Sequence, residues 1–227
     1  SPELEPELEA VQQRGSVMQA DSMKKSRAIR QPIEDAGDVY NAFDSITYNK
    51  GAAILRMFEA WVGVETFRSG ARSYLASNRH GVAETSDLLD ALAEASGKPV
   101  GEVMAPFLDQ PGAPLVTLHY DRAACQEEGS AEVTLEQTRY LPVGSEAEVG
   151  DPWQIPVCLR YGDGEGATGR QCILFDGSQE EPRRQSVTLE SEGCPVWVHP
   201  NADEKGYYHW RVRPEERQRA LMEAREE

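Results

Sequence analysis

Basic residues are scarce in this sequence: 23 Lys and Arg stand against 39 Asp and Glu in 227 residues, for a formal net charge of −16. A protein that follows a nucleic-acid backbone concentrates cations where the phosphates run. No segment here does so, which excludes nucleic acid as the expected partner. The acid excess gathers near the ends and in loops (Glu3, Glu5, Glu7, Glu9, Glu226, Glu227) and reads as a solvated, self-repelling surface. No apolar run reaches the roughly 18 residues that a helical membrane span needs. Neither an initiator Met nor a secretory leader is present, and the opening SPELEPELEAV reads like the middle of a protein. A piece of a longer chain is the expectation. The histidines (His80, His119, His199, His209) are scattered, with no pair at the i, i+4 spacing of a helical zinc site. The cysteines (Cys125, Cys158, Cys172, Cys194) show no CxxC spacing, which argues against a zinc knuckle. Cys158 and Cys172 flank a Gly-rich turn, YGDGEGATG, and can face one another across a hairpin. A disulfide in an oxidising compartment and buried free thiols both remain open. Localisation is open with them: cytoplasmic, or periplasmic or extracellular if the cysteines pair.

What the sequence does contain changes character near Pro114. Before it, apolar residues recur at helical spacing: Ile54, Leu55, Phe58, Trp61 and Val62; Phe67, Ala71, Tyr74 and Leu75; Leu88, Leu89, Leu92 and Ala95; Val100, Val103, Met104, Phe107 and Leu108. Gly63, Gly81 and Gly97 punctuate these stripes, Thr85 is placed to cap the third helix with Asp87 in its first turn, and Pro99 suits the start of the fourth. Two prolines and a glycine in QPGAP (110–114) end the helical run.

Beyond the break the period becomes two. Val116, Leu118 and Tyr120; Val133 and Leu135; Ile155, Val157, Leu159 and Tyr161; Ile173 and Phe175; Val187 and Leu189; and Val196 and Val198 each alternate with other residues. Short strands divided by Gly, Pro and Asp clusters predict an antiparallel β-sandwich of about seven strands. Tyr207 and Tyr208 are expected on opposite faces of a strand, one buried and one exposed. The fold class is α+β, with a helical part over 1–113, a β-sandwich over 114–212 and the start of a further helical segment over 213–227. Composition and period give no function.

Particular motifs do. The stretch FDSITYNKGAAILRMFEAW (43–61) resembles the signature around the catalytic tyrosine of the M1 (gluzincin) family of zinc aminopeptidases, with its Tyr-x-Lys-Gly core at Tyr48, Lys50 and Gly51. DSMKKSRAIRQPI, RSYLASNRHGVAETSDLLDALAEASGKPV, FLDQPGAPLV and VWVHPNADEKGYYHWRV resemble further family segments in the same order. Val82 and Glu84 depart from the usual Asn-Ala-x-Thr pattern, Phe107 stands where Trp is common, and His209 where Arg is usual. The family's HExxH zinc motif, its distal Glu and its Gly-x-Met-Glu-Asn amine-binding loop do not occur here; in the family they precede the tyrosine.

The resemblance implies the C-terminal part of a thermolysin-like catalytic domain followed by the sandwich, with zinc bound by residues outside this chain, a peptide substrate, and the remaining N-terminal part of the catalytic domain as partner. In that mechanism zinc activates a water that attacks the scissile carbonyl. The resemblance gives Tyr48 the task of donating a hydrogen bond to the oxygen that becomes anionic. A phenol, ordinarily titrating near 10, keeps its proton at neutral pH. On spacing alone Tyr48 is an ordinary amphipathic tyrosine near a helix start, and the Tyr-x-Lys-Gly context reverses that reading. Lys50 and Gly51 are read as structural and Asp44 as a cap or turn residue. The isolated chain is expected to be inactive. The alternative is a non-catalytic M1-like scaffold or protein-binding module.

Overall fold

The structure is a computed structural model that describes residues 5–145, 150–176 and 183–212. Helices occupy the first half: α1 (Glu5–Asp21), α2 (Ala36–Asn41), a π-turn (Ile46–Lys50), α3 (Gly51–Val62), α4 (Val64–Ser77), α5 (Thr85–Ser96) and α6 (Val100–Asp109). Strands follow: β1 (Pro114–Tyr120), a short α7 (Arg122–Glu128), β2 (Glu132–Arg139), β3 (Ile155–Gly162), β4 (Thr168–Phe175), β5 (Arg183–Thr188), β6 (Trp197–His199) and β7 (His209–Val212). The α+β class follows directly. The helical tail expected over 213–227 lies outside the described residues.

The predicted stripes become the buried faces. Ile54, Phe58 and Trp61 of α3, Leu89 and Leu92 of α5, and Val100, Val103, Met104 and Phe107 of α6 are buried in one core. Helix α3 ends on Gly63 at φ 94°, a conformation that favours glycine. Helix α5 begins one residue earlier than expected. Glu84, not Thr85, is its N-cap, and the Asp87 carboxylate accepts the Glu84 backbone N–H at 2.7 Å.

The strands form two sheets, ordered β5-β2-β1-β7 and β4-β3-β6. All pairs are antiparallel except β1 with β7, which run parallel, so the wholly antiparallel expectation is corrected there. Strand β1 buries Val116, Leu118 and Tyr120 as the alternation predicts. Strand β3 departs from it, because Pro156 and Cys158 are buried as well as Ile155, Val157 and Leu159. The reason is helix α3, which covers the second face: Cys158 Sγ lies 3.9 Å from the Ala60 carbonyl oxygen.

Both cysteine pairs are disulfides. Cys158 and Cys172 sit opposite one another on β3 and β4, and Cys125 of α7 joins Cys194.

Two glutamines fix the segment before β3. Gln137, buried in β2, donates to the Trp153 carbonyl at 2.8 Å and accepts its N–H at 2.9 Å; Gln110 makes the same two contacts with Asp151, at 3.0 and 3.1 Å. Trp153 thereby enters the core against Phe107, their rings 6.4 Å apart.

Candidate functional site

Tyr48 occupies the centre of the π-turn, a rare helical form frequent at functional sites. Asp44 organises its approach. The Asp44 carboxylate accepts the Thr47 N–H at 3.0 Å and pairs with Arg27 at 2.6 Å, while the Asp44 carbonyl accepts the Tyr48 N–H at 3.1 Å. This is the turn role expected for Asp44. On either side of Tyr48, Ile46 and Lys50 point inward and are buried. Tyr48 points outward and is 58% exposed, with the Phe43 ring 6.3 Å from its own. Its hydroxyl has no hydrogen-bond partner among the described residues, so it is free to donate.

Lys50, read from the sequence as structural, is the most consequential of the side chains around Tyr48. It is 0% exposed and pairs at 3.0 Å with Asp21, also 0% exposed. The Lys50 ammonium also donates to the Gln110 carbonyl at 3.0 Å. The Asp21 carboxylate is fully used: Oδ1 accepts the Gly112 N–H at 2.9 Å and the Ser26 hydroxyl at 2.8 Å, and Oδ2 accepts the Tyr207 hydroxyl at 2.9 Å as well as Lys50. A buried charge without partners is very costly, whereas one surrounded by directed donors holds its neighbours in a single arrangement. Burial lowers the pKa of Lys50, opposed by Asp21, and raises that of Tyr207, reinforced by Asp21.

Tyr207 and Tyr208 are therefore both buried, at 0% and 1%, against the expectation of one on each face. They precede β7 rather than lie in it. Each phenol finds its own acceptor, Asp21 for Tyr207 and the Pro200 carbonyl, at 2.7 Å, for Tyr208. Asn201, also buried, accepts the Gly206 N–H at 2.8 Å and so shapes the turn that delivers both rings. Arg14 of α1 holds the same turn through the Glu204 carboxylate and the Gly206 carbonyl.

The histidines stay apart. His80 is exposed, and His119 lies 3.8 Å from Glu136. His199 lies 3.5 Å from Glu204, and His209 stacks on Tyr140 at 3.7 Å. Among the described residues no three His, Cys, Asp or Glu side chains come together to hold a metal ion. These residues do not fit a zinc site. Nor is any described helix long and apolar enough to cross a membrane.

The family model described as "Peptidase family M1 domain" matches residues 3–107, which contain α1, the π-turn with Tyr48 and Lys50, and α3 through most of α6. That stretch belongs to peptidase family M1. Aminopeptidase 2, mitochondrial, of Saccharomyces cerevisiae is 34% identical over 188 residues, covering 83% of this chain and 18% of that protein. The alanine/arginine aminopeptidase of the same organism is 38% identical over 146 residues, covering 64% and 16%. Aminopeptidase M1-A of Oryza sativa subsp. japonica is 30% identical over 191 residues, covering 83% and 20%. The chain thus spans about a fifth of the length of these curated relatives.

The M1-like segments of the sequence meet in space. Asp21 and Ser26 come from DSMKKS, Lys50 from Tyr-x-Lys-Gly, Gln110 and Gly112 from QPG, and Tyr207 from GYY. All converge on the Asp21 carboxylate and the Lys50 ammonium. Lys98, from SGKPV, acts at the other end of α3, donating to the Trp61 carbonyl at 2.7 Å. Sequence reasoning marked these segments but not their meeting point. Periodicity has no means of pairing positions so far apart. The available signal was the presence of a Lys and an Asp within segments otherwise leading into buried elements.

Proposed function

We propose that this chain is a segment of a zinc-dependent aminopeptidase that removes N-terminal residues from peptides, and that Tyr48 is its transition-state hydrogen-bond donor. The observation that carries this reading is the outward-facing Tyr48 phenol, without a hydrogen-bond partner among the described residues, on a turn that buries Ile46 and Lys50. Peptide hydrolysis passes through a tetrahedral species with negative charge on oxygen. A phenol held in place can donate to that oxygen without reorganising. Zinc is assigned to residues outside this chain, since the described residues supply no ligand set. The remaining N-terminal part of the catalytic domain is assigned as the covering partner. Ile33, Val39, Tyr40 and Phe43, all exposed on the stretch leading to Tyr48, support such a contact. The division proposed at Pro114 places the M1 catalytic part before it and the strand-rich part after it. The two disulfides support an oxidising compartment, and a thiol titration under denaturing conditions, finding no free thiol, is the expected result.

The test is Tyr48→Phe in the full-length protein. Loss of one oxyanion donor is expected to lower kcat by about 10²- to 10³-fold with KM little changed. Unchanged turnover of an aminoacyl-anilide in the variant would remove that role from Tyr48, whereas no turnover by the wild-type full-length protein would favour a non-catalytic scaffold or protein-binding module. The isolated chain, given zinc, is expected to show no turnover.

A further inference from the structure

We propose that Asp21 and Lys50 are positioning residues for Tyr48: the buried ion pair fixes the C-terminal end of the π-turn and thereby the direction in which the phenol projects. This inference rests on the reading of Tyr48 as the transition-state donor.

Tyr48 has little to hold its own side chain. It is 58% exposed and has no hydrogen-bond partner among the described residues, so its placement comes through the backbone of the turn. That turn has two polar anchors. At the N-terminal end, Asp44 and Arg27 form a two-point ion pair whose side chains are 41% and 22% exposed, and Arg27 also donates to the Thr47 hydroxyl at 2.9 Å; water and salt compete for these partly exposed groups. At the C-terminal end, Lys50 and Asp21 are both 0% exposed. Lys50 is locked between the Asp21 carboxylate and the Gln110 carbonyl, and Asp21 is locked in turn by Gly112, Ser26 and Tyr207. The second anchor is therefore the one that defines position.

Packing alone would not require this arrangement. An apolar side chain at position 50 would avoid the desolvation of an ammonium, and replacing a buried ion pair by apolar residues is often neutral or stabilising. A pair of directed acceptors does what an apolar contact cannot: it sets the register and rotation of the turn. Tyr48 stands two residues before Lys50, so a shift at Lys50 reaches the phenol with little attenuation. Misplacement of a catalytic group by about 1 Å can cost about 10²-fold in rate.

The test is a double-mutant cycle in the full-length protein, read as kcat, KM and bound zinc for an aminoacyl-anilide substrate. Lys50→Met is expected to lower kcat by about 10- to 10²-fold, with KM and zinc content unchanged. Adding Tyr48→Phe to Lys50→Met is expected to cost much less than Tyr48→Phe costs alone, because the misdirected phenol has already lost its contact. Wild-type kcat in Lys50→Met, a loss that multiplies fully with that of Tyr48→Phe, or a loss tracked by KM or zinc content would each overturn the proposal while leaving the role of Tyr48 intact. Tyr48→Phe with unchanged kcat would remove the role of Tyr48 and this proposal with it. If Lys50→Met does not fold, Tyr207→Phe decides: it removes one donor to Asp21 and keeps the ring. A kcat loss of about 3- to 10-fold with the same non-additivity is expected, and an unchanged or fully multiplicative kcat overturns the proposal.

Discussion

His209 is the side chain whose surroundings most directly couple this fold to pH. Its ring stacks on Tyr140 at 3.7 Å, and its Nε2 is buried without a hydrogen-bond partner among the described residues. Burial, with a smaller contribution from Arg14, pushes its pKa down from 6.5 to about 4. The native state therefore binds fewer protons than the unfolded chain between these two values. The associated stability is fully present above pH 6.5 and is lost as pH falls towards 4. His199, lowered chiefly by burial, acts in the same direction. With partial solvent screening discounted, His209 accounts for on the order of 2 kcal/mol. His209→Phe keeps a ring against Tyr140 and removes the titration. Denaturant unfolding at pH 7 and pH 4 is expected to show a smaller loss of stability in the variant, by about that amount. Equal losses in the two proteins would show that burial of this imidazole is not what is being titrated. Gly112 illustrates a different constraint at the same scale. At φ 97°, it gives its N–H to Asp21, and a Cβ there would run into the Arg139 guanidinium, so a side chain is opposed both by backbone conformation and by space.

Helix α3 carries the turn that presents Tyr48, and its far end is held from outside. Its closing carbonyls receive cations from two other elements: Arg170 of β4 donates to Ala60 at 2.9 Å, and Lys98, between α5 and α6, donates to Trp61 at 2.7 Å. Positive charge at a helix C-terminus satisfies orphan carbonyls and complements the helix dipole. The Lys98 ammonium also lies 4.7 Å from the centre of the Trp61 ring. Lys98→Met preserves the aliphatic stem and removes both contacts, and should cost about 1–2 kcal/mol in a denaturant unfolding experiment. A change below about 0.5 kcal/mol would mean that water replaces the ammonium at this carbonyl. Whereas α1 and α2 show no such stripe in the sequence, helices α3 to α6 were legible because each has one apolar stripe and a glycine at or beyond its end. Their capping partners were not. Lys98 reads locally as a polar residue between a C-cap glycine and a proline, and only the three-dimensional path of α3 brings Trp61 to it. Strand β3 failed in the opposite way. Its alternation was real, but the intervening Pro156 and Cys158 are buried too, because a helix from elsewhere in the chain covers them.

At the scale of the whole molecule, secondary structure changes at Pro114 but the core does not stop there. Phe107 of α6 is the hinge of that continuity, with its ring 6.4 Å from Phe58 of α3 on one side and 6.4 Å from Trp153, ahead of β3, on the other. Buried residues of helices and strands belong to one contiguous cluster, and the Asp21–Lys50 pair reinforces it by linking α1, the π-turn, the QPG junction and the entry to β7. The sequence shows a helix-rich half and a strand-rich half because local patterning is all that periodicity records. How strongly the halves are joined depends on Phe107, Trp153 and a buried ion pair that ties the end of α1 to the π-turn and, through its hydrogen bonds, to the QPG junction and Tyr207. A shared core predicts shared unfolding. Phe107→Ala should cost about 3–5 kcal/mol through lost burial and a cavity between the layers. Helical signal in the far ultraviolet and tryptophan fluorescence should shift to lower denaturant together, because Trp61 and Trp153 report on the two sides of that cavity. If the fluorescence transition moves while the helical signal stays in place, helices and strands unfold as separate units, and the single core would have to be replaced by two that merely touch.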